Sequence, residues 1–294
     1  MLVGQGPAGS YGGAIILIIA LMLTLLPGAC ANGATPAFAT QAPVLRLGII
    51  GDQTGTRNFE ASYAELEKGV EQLKRYELNA VIHVGDLLES AKPVPMMTAD
   101  FARASSILDR LDAPWFLTAG DHDVNPPKRV TGTDDRSREA LFIDLYRKRN
   151  PAMSDRPYYS VEVDGWQLIS LFSHDELHAD PRWGNIFFAR IADDQYAWLE
   201  ATLAARRLDS SGTIVFIHQP LWYNWGDWAR VHRLLATYGV RAVIAGHFHY
   251  SQDEGELDGI RYLIHGATGG RVKLTSPEYG GTHLVSVLTV SNDG

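Results

Sequence analysis

A single cysteine, Cys30, is present among 294 residues, so an intramolecular disulfide is excluded. Basic residues are also scarce: 26 Lys and Arg stand against 34 Asp and Glu, for a net charge of -8. Proteins that track a phosphate backbone carry a basic face, so a nucleic-acid scaffold is not expected as a partner. Metal ions could still draw in a small phosphorylated substrate. No Lys or Arg precedes Arg46, and no internal repeat or low-complexity tract follows the first forty residues. The apolar run from Ala14 to Leu26, broken only by Thr24, is too short for a comfortable membrane span.

That run does suit the hydrophobic region of a signal peptide, despite the missing charged start. Ala29-Cys30-Ala31 and Ala37-Phe38-Ala39 both fit the small-x-small pattern of a cleavage site, and a loose linker follows to Pro43. Cys30 stands where a bacterial lipoprotein box would put its acylated cysteine, but the leucine of that box is one place early and Pro27 takes its position. The expectation is an exported protein, periplasmic or secreted, cleaved after one of the alanines. Membrane contact would arise only through a leader left uncleaved or lipidated. Residues 1–43 are therefore read as leader and linker, and residues 44–294, in a chain that is 46% apolar, as one domain.

Within that domain strands and helices alternate. Val44–Ile50, Ala80–Val84, Trp115–Thr118, Thr213–Ile217 and Ala242–Ala245 are apolar, β-branched runs of strand length. Tyr158–Val163 and Trp166–Leu171 flank Asp164-Gly165, a two-residue hairpin turn, and Arg261–His265 and His283–Val290 bring the expected strands to about nine. Helices are expected from a capping box at Ser62 and Glu65, over Phe101–Leu111, over about Arg136–Arg149, from Asp193 to Arg207, and over Trp228–Tyr238. Crossovers mixed with hairpins suggest two packed sheets with helices outside.

Five of the strands run into polar motifs: Gly51-Asp52, Gly85-Asp86, Gly120-Asp121-His122-Asp123, His218 and Gly246-His247-Phe248-His249. A glycine there lets the backbone turn sharply and leaves the next side chain at the carboxyl edge of a sheet, where open α/β folds collect ligands. Carboxylates and imidazoles at that edge suit hard or borderline divalent cations. One shared carboxylate can hold two such cations about 3.5–4 Å apart. A lone Gly-Asp after a strand is usually a turn. Five motifs together point to a metal site.

In their order, Asp52, Gly85-Asp86, Gly120-x-His122-Asp123, His218-Gln219-Pro220 and Gly246-His247-x-His249 resemble the calcineurin-like metallophosphoesterase superfamily, most of all its purple acid phosphatase and small phosphoesterase branch. The resemblance implies a four-layer α/β/β/α sandwich of two mixed β-sheets flanked by helices. It implies two divalent or transition metal ions, the first held by Asp52, Asp86 and His249, the second by Asp86, Asp121, His218 and His247. His122 would face the phosphate and protonate the leaving alkoxide, with Asp123 orienting it. Hydrolysis of a phosphate ester would proceed by attack of metal-bound hydroxide. The alternatives are a cyclic-nucleotide or other phosphodiesterase, or a degenerate relative that binds phosphorylated ligands with little turnover.

The sequence departs from the family at two places. Thr54 stands where the family has His or Gln, with Gln53 one place early. Asp121 stands where the family has Asn, so a hydrogen-bond donor to phosphate is replaced by a carboxylate that repels it. Glu89 is a candidate extra ligand, and because no tyrosine occupies its place a colourless Mn, Zn or Fe/Zn-type site is expected. His83, His174, His178, His232, His265 and His283 are read as core or surface groups, His174 and His178 with a chance to support the site. The aromatic stretch Leu221–Trp228 is either a stacking wall for a substrate or a loop packed by its own rings, the second being the simpler reading.

Overall fold

The computed structural model describes residues 15–20 and 45–291, apart from 57, 91, 126–135, 181–183, 208, 224–225 and 273–280; residues 15–20 and 176–188 are described in backbone only. Cys30 and both alanine-flanked cleavage sites lie outside the described residues. Among the described residues no helix is long and apolar enough to cross a membrane.

Two mixed sheets form the centre. The first has β1 (Ile15–Ala20), β13 (Leu284–Val290), β2 (Leu45–Ile50), β3 (Ala80–His83) and β4 (Trp115–Leu117) in spatial order. The second has β11 (Gln252–Leu257), β12 (Ile260–Ile264), β10 (Ala242–Ala245), β9 (Gly212–Ile217), β6 (Trp166–Leu171) and β5 (Tyr159–Val163). A separate hairpin joins β7 (Glu176–Asp180) to β8 (Gly184–Phe188). The helices are α1 (Phe59–Leu73), α2 (Val94–Leu108), α3 (Asp121–Val124), α4 (Ser137–Arg147), α5 (Asp193–Ala204) and α6 (Trp228–Thr237).

Alternation along the second sheet fixes the layers. On β9, Ile214 and Phe216 join the core shared with the first sheet, whereas Val215 and Ile217 join a second core with Leu199 and Leu203 of α5 and Val231 and Leu235 of α6. β10 divides the same way, with Ala242 and Ile244 inward and Val243 and Ala245 outward. On the far side of the first sheet, α1 and α2 bury Leu66, Val70, Leu73, Phe101, Ala104 and Leu108. Each of these side chains except Ala104 contributes roughly 1.5–3 kcal/mol when withdrawn from water, so the strands are held by burial on both faces. This is the expected order of helices, sheet, sheet and helices.

Several boundaries differ from the sequence reading. The first helix starts at Phe59, capped by the Asn58 side chain accepting from the Ala61 amide. Ser62 is inside the helix and donates its hydroxyl to the Gln53 carbonyl at 2.6 Å, so the capping box at Ser62 is corrected. Arg206 and Arg207 lie beyond α5, which is capped at Ala205. β1, β7, β8 and β11 are additional strands. The β5–β6 hairpin forms as expected, with both Asp164 (φ 49°) and Gly165 (φ 80°) left-handed, as a type I′ turn requires.

Candidate metal centre

Register brings the motif strands out together. Ile50 pairs with His83 and His83 with Leu117, so β2, β3 and β4 end in one row, and β9 and β10 run parallel beside one another in the second sheet. The Asp52 amide then donates to the Gly85 carbonyl, which carries the ladder one step past the strands. His218 ties the sheets together: its Nδ1 lies 2.8 Å from the Val84 carbonyl oxygen. A side chain on residue 85 would prevent this, since a Cβ there would sit 2.5 Å from His218 Nδ1 and the backbone φ is +98°. At Gly120 a Cβ would come within 2.2 Å of Asp86 Oδ1. These two glycines make room for ligands as well as for turns.

The six candidate ligands converge in two groups, and a third group, Asp86, Asp121 and His122, links them. Asp52, Asp86 and His249 present one ligand atom each within 4.8 Å of one another, and so do Asp121, His218 and His247. Asp86 lies between them, with its Oδ1 3.3 Å from His218 Nε2. Four of the six, Asp52, Asp86, His247 and His249, have positive φ between 54° and 69°. Non-glycine residues enter that region at a cost of order 1–3 kcal/mol, and they do so where a site dictates direction.

The donor chemistry fits a cation pair. Asp52, Asp86 and His218 are buried, and among the described residues no Lys or Arg forms an ion pair with Asp52, Asp86 or Asp121. Buried carboxylates without a cation are costly. His218 Nδ1 can donate to the Val84 carbonyl, and a neutral imidazole then points its Nε2 lone pair at Asp121 Oδ1, 3.0 Å away. His247 Nδ1 is 3.0 Å from that same oxygen and 3.3 Å from His218 Nε2. Such a meeting of acceptors needs protons or a metal. Without metal, protons take the place: against burial, the Asp86 carboxylate and the hydrogen bond to Asp121 raise His218 to about 10. Burial pushes the Asp52 carboxyl well up, whereas Asp121 overcomes its burial through hydrogen bonds to His218 and His247 and is held well below the usual carboxylate range. His249 accepts the same orienting device, with Nδ1 2.6 Å from the Arg271 carbonyl oxygen and Nε2 3.4 Å from Asp52.

Asp86 keeps acceptor capacity to spare. Its Oδ1 accepts from the His122 amide at 2.9 Å and its Oδ2 from the Thr54 hydroxyl at 3.0 Å, which uses two of about four lone-pair sites on a carboxylate. Thr54, expected where a ligand is lost, thus positions a ligand instead. Gln53 points away, toward Ser62 and Gly269.

Around His122 the structure corrects the sequence reading. Asp123 does not stand behind the imidazole: its fully buried carboxylate accepts from the amides of Asp86 (2.9 Å), Leu88 (2.7 Å) and Gly120 (2.8 Å). It fixes the Gly85-Asp86 and Gly120-Asp121 turns against each other. Glu89 takes the expected place, with Oε1 2.9 Å from His122 Nδ1 and Oε2 accepting from the Gly55 amide, and Ser90 Oγ is 3.0 Å from the same Nδ1. No candidate metal group among the described residues includes Glu89. Burial acts against the His122 imidazolium, but Asp86 and the Glu89 hydrogen bond raise it to about 9. Arg138 of α4, which no sequence pattern singles out, is buried and donates to the His122 carbonyl at 3.1 Å.

The remaining histidines mostly stay outside. His83, His174 and His265 are buried, and burial lowers each to about 3. His174 does approach the centre, its ring 6.1 Å from that of His218. His232 meets Tyr262 and Asp258, His283 meets the Gly270 carbonyl, and the His178 side chain lies outside the described residues.

Fold and donor set together define a metal-dependent hydrolase acting on phosphoric esters. The chain belongs to the calcineurin-like phosphoesterase family, which matches residues 45–251. It is 27% identical to human tartrate-resistant acid phosphatase type 5 over 86% of this chain and 78% of that protein. A probable cyclic nucleotide phosphodiesterase of Rhodococcus erythropolis is 28% identical over 59% of this chain, which spans 52% of that protein's length. The fold is similar to purple acid phosphatase PPD1 of yellow lupin, with a TM-score of 0.56 at 14% identity, covering 85% of this chain and 54% of that one. It is also similar to a dimetal phosphatase of Danio rerio, with a TM-score of 0.55 at 15% identity over 77% and 88% of the two chains. Purple acid phosphatase 22 of Arabidopsis thaliana is 27% identical over 46% of this chain and 30% of that protein, so purple acid phosphatases are among its relatives, as the motifs imply.

Proposed function

We propose that this chain is an exported phosphoesterase that works with a pair of metal ions and uses His122 as the proton donor. The observation that carries the reading is a pair of donor triads linked through Asp86 and Asp121, which also group with His122, an imidazole whose Nδ1 is already engaged. Asp52, Asp86 and His249 would hold one ion, and Asp86, Asp121, His218 and His247 the other. Bound there, the pair supplies Lewis acidity, which acidifies water and offsets the charge of the phosphoryl oxygens. Glu89 and Ser90 fix the His122 ring through Nδ1, and Nε2 is left for the substrate. His122 gives the Nε2 proton to the departing alkoxide and keeps its Nδ1 contact to Glu89 throughout.

Asp121 favours phosphodiesters over monoesters. A monoester brings close to two negative charges to the site and a diester one. Charges a few Å apart in a partly desolvated site interact by several kcal/mol before screening, so a carboxylate at residue 121 penalises the monoester more. Export rests on the apolar run of Ala14–Leu26 and the alanine-flanked sites after it. Elemental analysis of the purified chain, with rates on aryl phosphate mono- and diesters, tests the reading. It expects hydrolysis that a chelator abolishes and metal restores. A metal-loaded chain that turns over neither ester would instead be a binding relative.

A further inference from the structure

The aromatic stretch after His218 does more than pack its own loop. Trp222, Trp228 of α6 and Tyr262 of β12 meet at steep angles: Trp222 and Tyr262 centroids are 4.9 Å apart at 61°, Trp222 and Trp228 are 6.1 Å apart at 55°, and Trp228 and Tyr262 are 6.5 Å apart at 77°. Trp228 and Tyr262 belong to the outer core and are nearly buried, so their rings are held rigidly. Against this corner opens a cavity of about 520 Å³, within the size range of small-molecule sites. A loop closed by its own rings would leave no such space.

The charge of the lining is one-sided. Asp227, Glu254 and Glu256 face the cavity, Asp227 also pairing with Arg230 at 3.3 Å, and the described residues of the lining include no Lys or Arg. His232, also in the lining, is held by Tyr262 Oη at 2.7 Å and by Asp258 at 3.0 Å, a fourth carboxylate behind the wall. The Trp222 indole N–H is buried and has no hydrogen-bond partner among the described residues. A phosphate group would be repelled here. An organic cation gains twice, from the negative ring faces and from the surrounding carboxylates.

We infer that the cavity walled by Trp222, Trp228 and Tyr262 and rimmed by Asp227, Glu254 and Glu256 is a binding site for a small organic cation bearing a quaternary or alkylated ammonium group. The site stands apart from the candidate metal centre. Between them run the rings of Phe248, 5.7 Å from His247, and Tyr223, 5.2 Å from Phe248, whose hydroxyl donates to Glu254 at 2.5 Å. Its occupant therefore touches none of the six candidate ligands, and binding can be measured without turnover.

The test is a titration of the full, metal-loaded chain with choline and with 3,3-dimethylbutan-1-ol, its uncharged isostere, followed by tryptophan fluorescence and checked by equilibrium dialysis. Choline is expected to bind saturably and at least about threefold more tightly than the isostere, the discrimination a cation–π contact supplies. Trp222→Leu should narrow the difference. Glu256→Lys, on the exposed rim, leaves the packing intact and should weaken choline several-fold while sparing the isostere. Equal affinity for both ligands, or saturable choline binding unchanged in both variants, would overturn the inference, as would no binding by either ligand to chain whose circular dichroism is that of the folded protein.

Discussion

His122 Nδ1 lies 2.9 Å from Glu89 Oε1, and the same carboxylate reaches the Gly55 amide through its other oxygen. The imidazole is therefore held from one side by a charge anchored in the loop after β2, and it is poised as an acid. His122→Ala should keep fold and metals yet lower turnover by about 10²–10⁴. The loss should be smaller for a nitrophenyl ester than for an alkyl ester, because a good leaving group needs less protonation. Equal losses on both would assign His122 to phosphate binding instead.

Glu89→Gln retains a hydrogen-bonding group and removes the charge. His122 must be protonated to act, and Glu89 is one of the groups that raise it to about 9. The alkaline fall of kcat should accordingly move to lower pH in the variant. An unmoved alkaline limb with a normal acid limb would separate Glu89 from the proton donor.

Asp121→Asn tests the carboxylate that departs from the family pattern. Asn binds a cation less tightly but can donate to phosphate, so the variant should need more metal. Once metal is saturating it should show a lower KM for monoesters and a smaller preference for diesters. A raised monoester KM with unchanged metal affinity would show that Asp121 is not a ligand beside the phosphate.

Much of this centre was legible in the sequence because its determinants are local. A β-branched run followed by glycine and then Asp or His specifies a strand, a turn and a side chain at the sheet edge; four of the motifs have that form, His218 follows Ile217 directly, and all five come together. Asp123 and Glu89 were misassigned for a physical reason. Adjacency in sequence suggests that Asp123 serves His122, but the tight α3 turn sends its carboxylate inward to three amides, and only tertiary packing brings Glu89 across. The first helix start was hidden because Ser62-x-x-Glu65 imitates a capping box while Asn58 does the capping. β11 was missed because Gln252–Leu257 is a polar, largely exposed edge strand with no apolar alternation to mark it.

Acid should weaken the fold through its buried histidines. His265 and His83 stay neutral down to about 3 in the folded chain, whereas an unfolded histidine titrates near 6.5. The unfolded state binds the extra protons. Stability is thus undiminished above about pH 6.5 and falls as pH drops toward 3, by up to about 1.4 kcal/mol per pH unit for each group. Urea unfolding of metal-free protein should show a shallower acid slope for His265→Gln than for the parent. Parallel slopes would mean that His265 is not buried neutral.

Processing of the leader has a structural consequence. Cleavage after Ala31 or Ala39 would remove β1 and leave β13 at the edge of the first sheet. Intact mass of protein from its native cell should show a start after one of these alanines. Acyl chains on Cys30, or a retained Met1 in a membrane fraction, would contradict simple cleavage.

The central claim is that two ions share Asp86, and metal stoichiometry tests it most directly. The parent chain should carry two equivalents per chain. Asp86→Ala should lose both ions and all activity, and His249→Ala should lose mainly the ion shared with Asp52. Two ions per chain and unchanged turnover in Asp86→Ala would contradict the account.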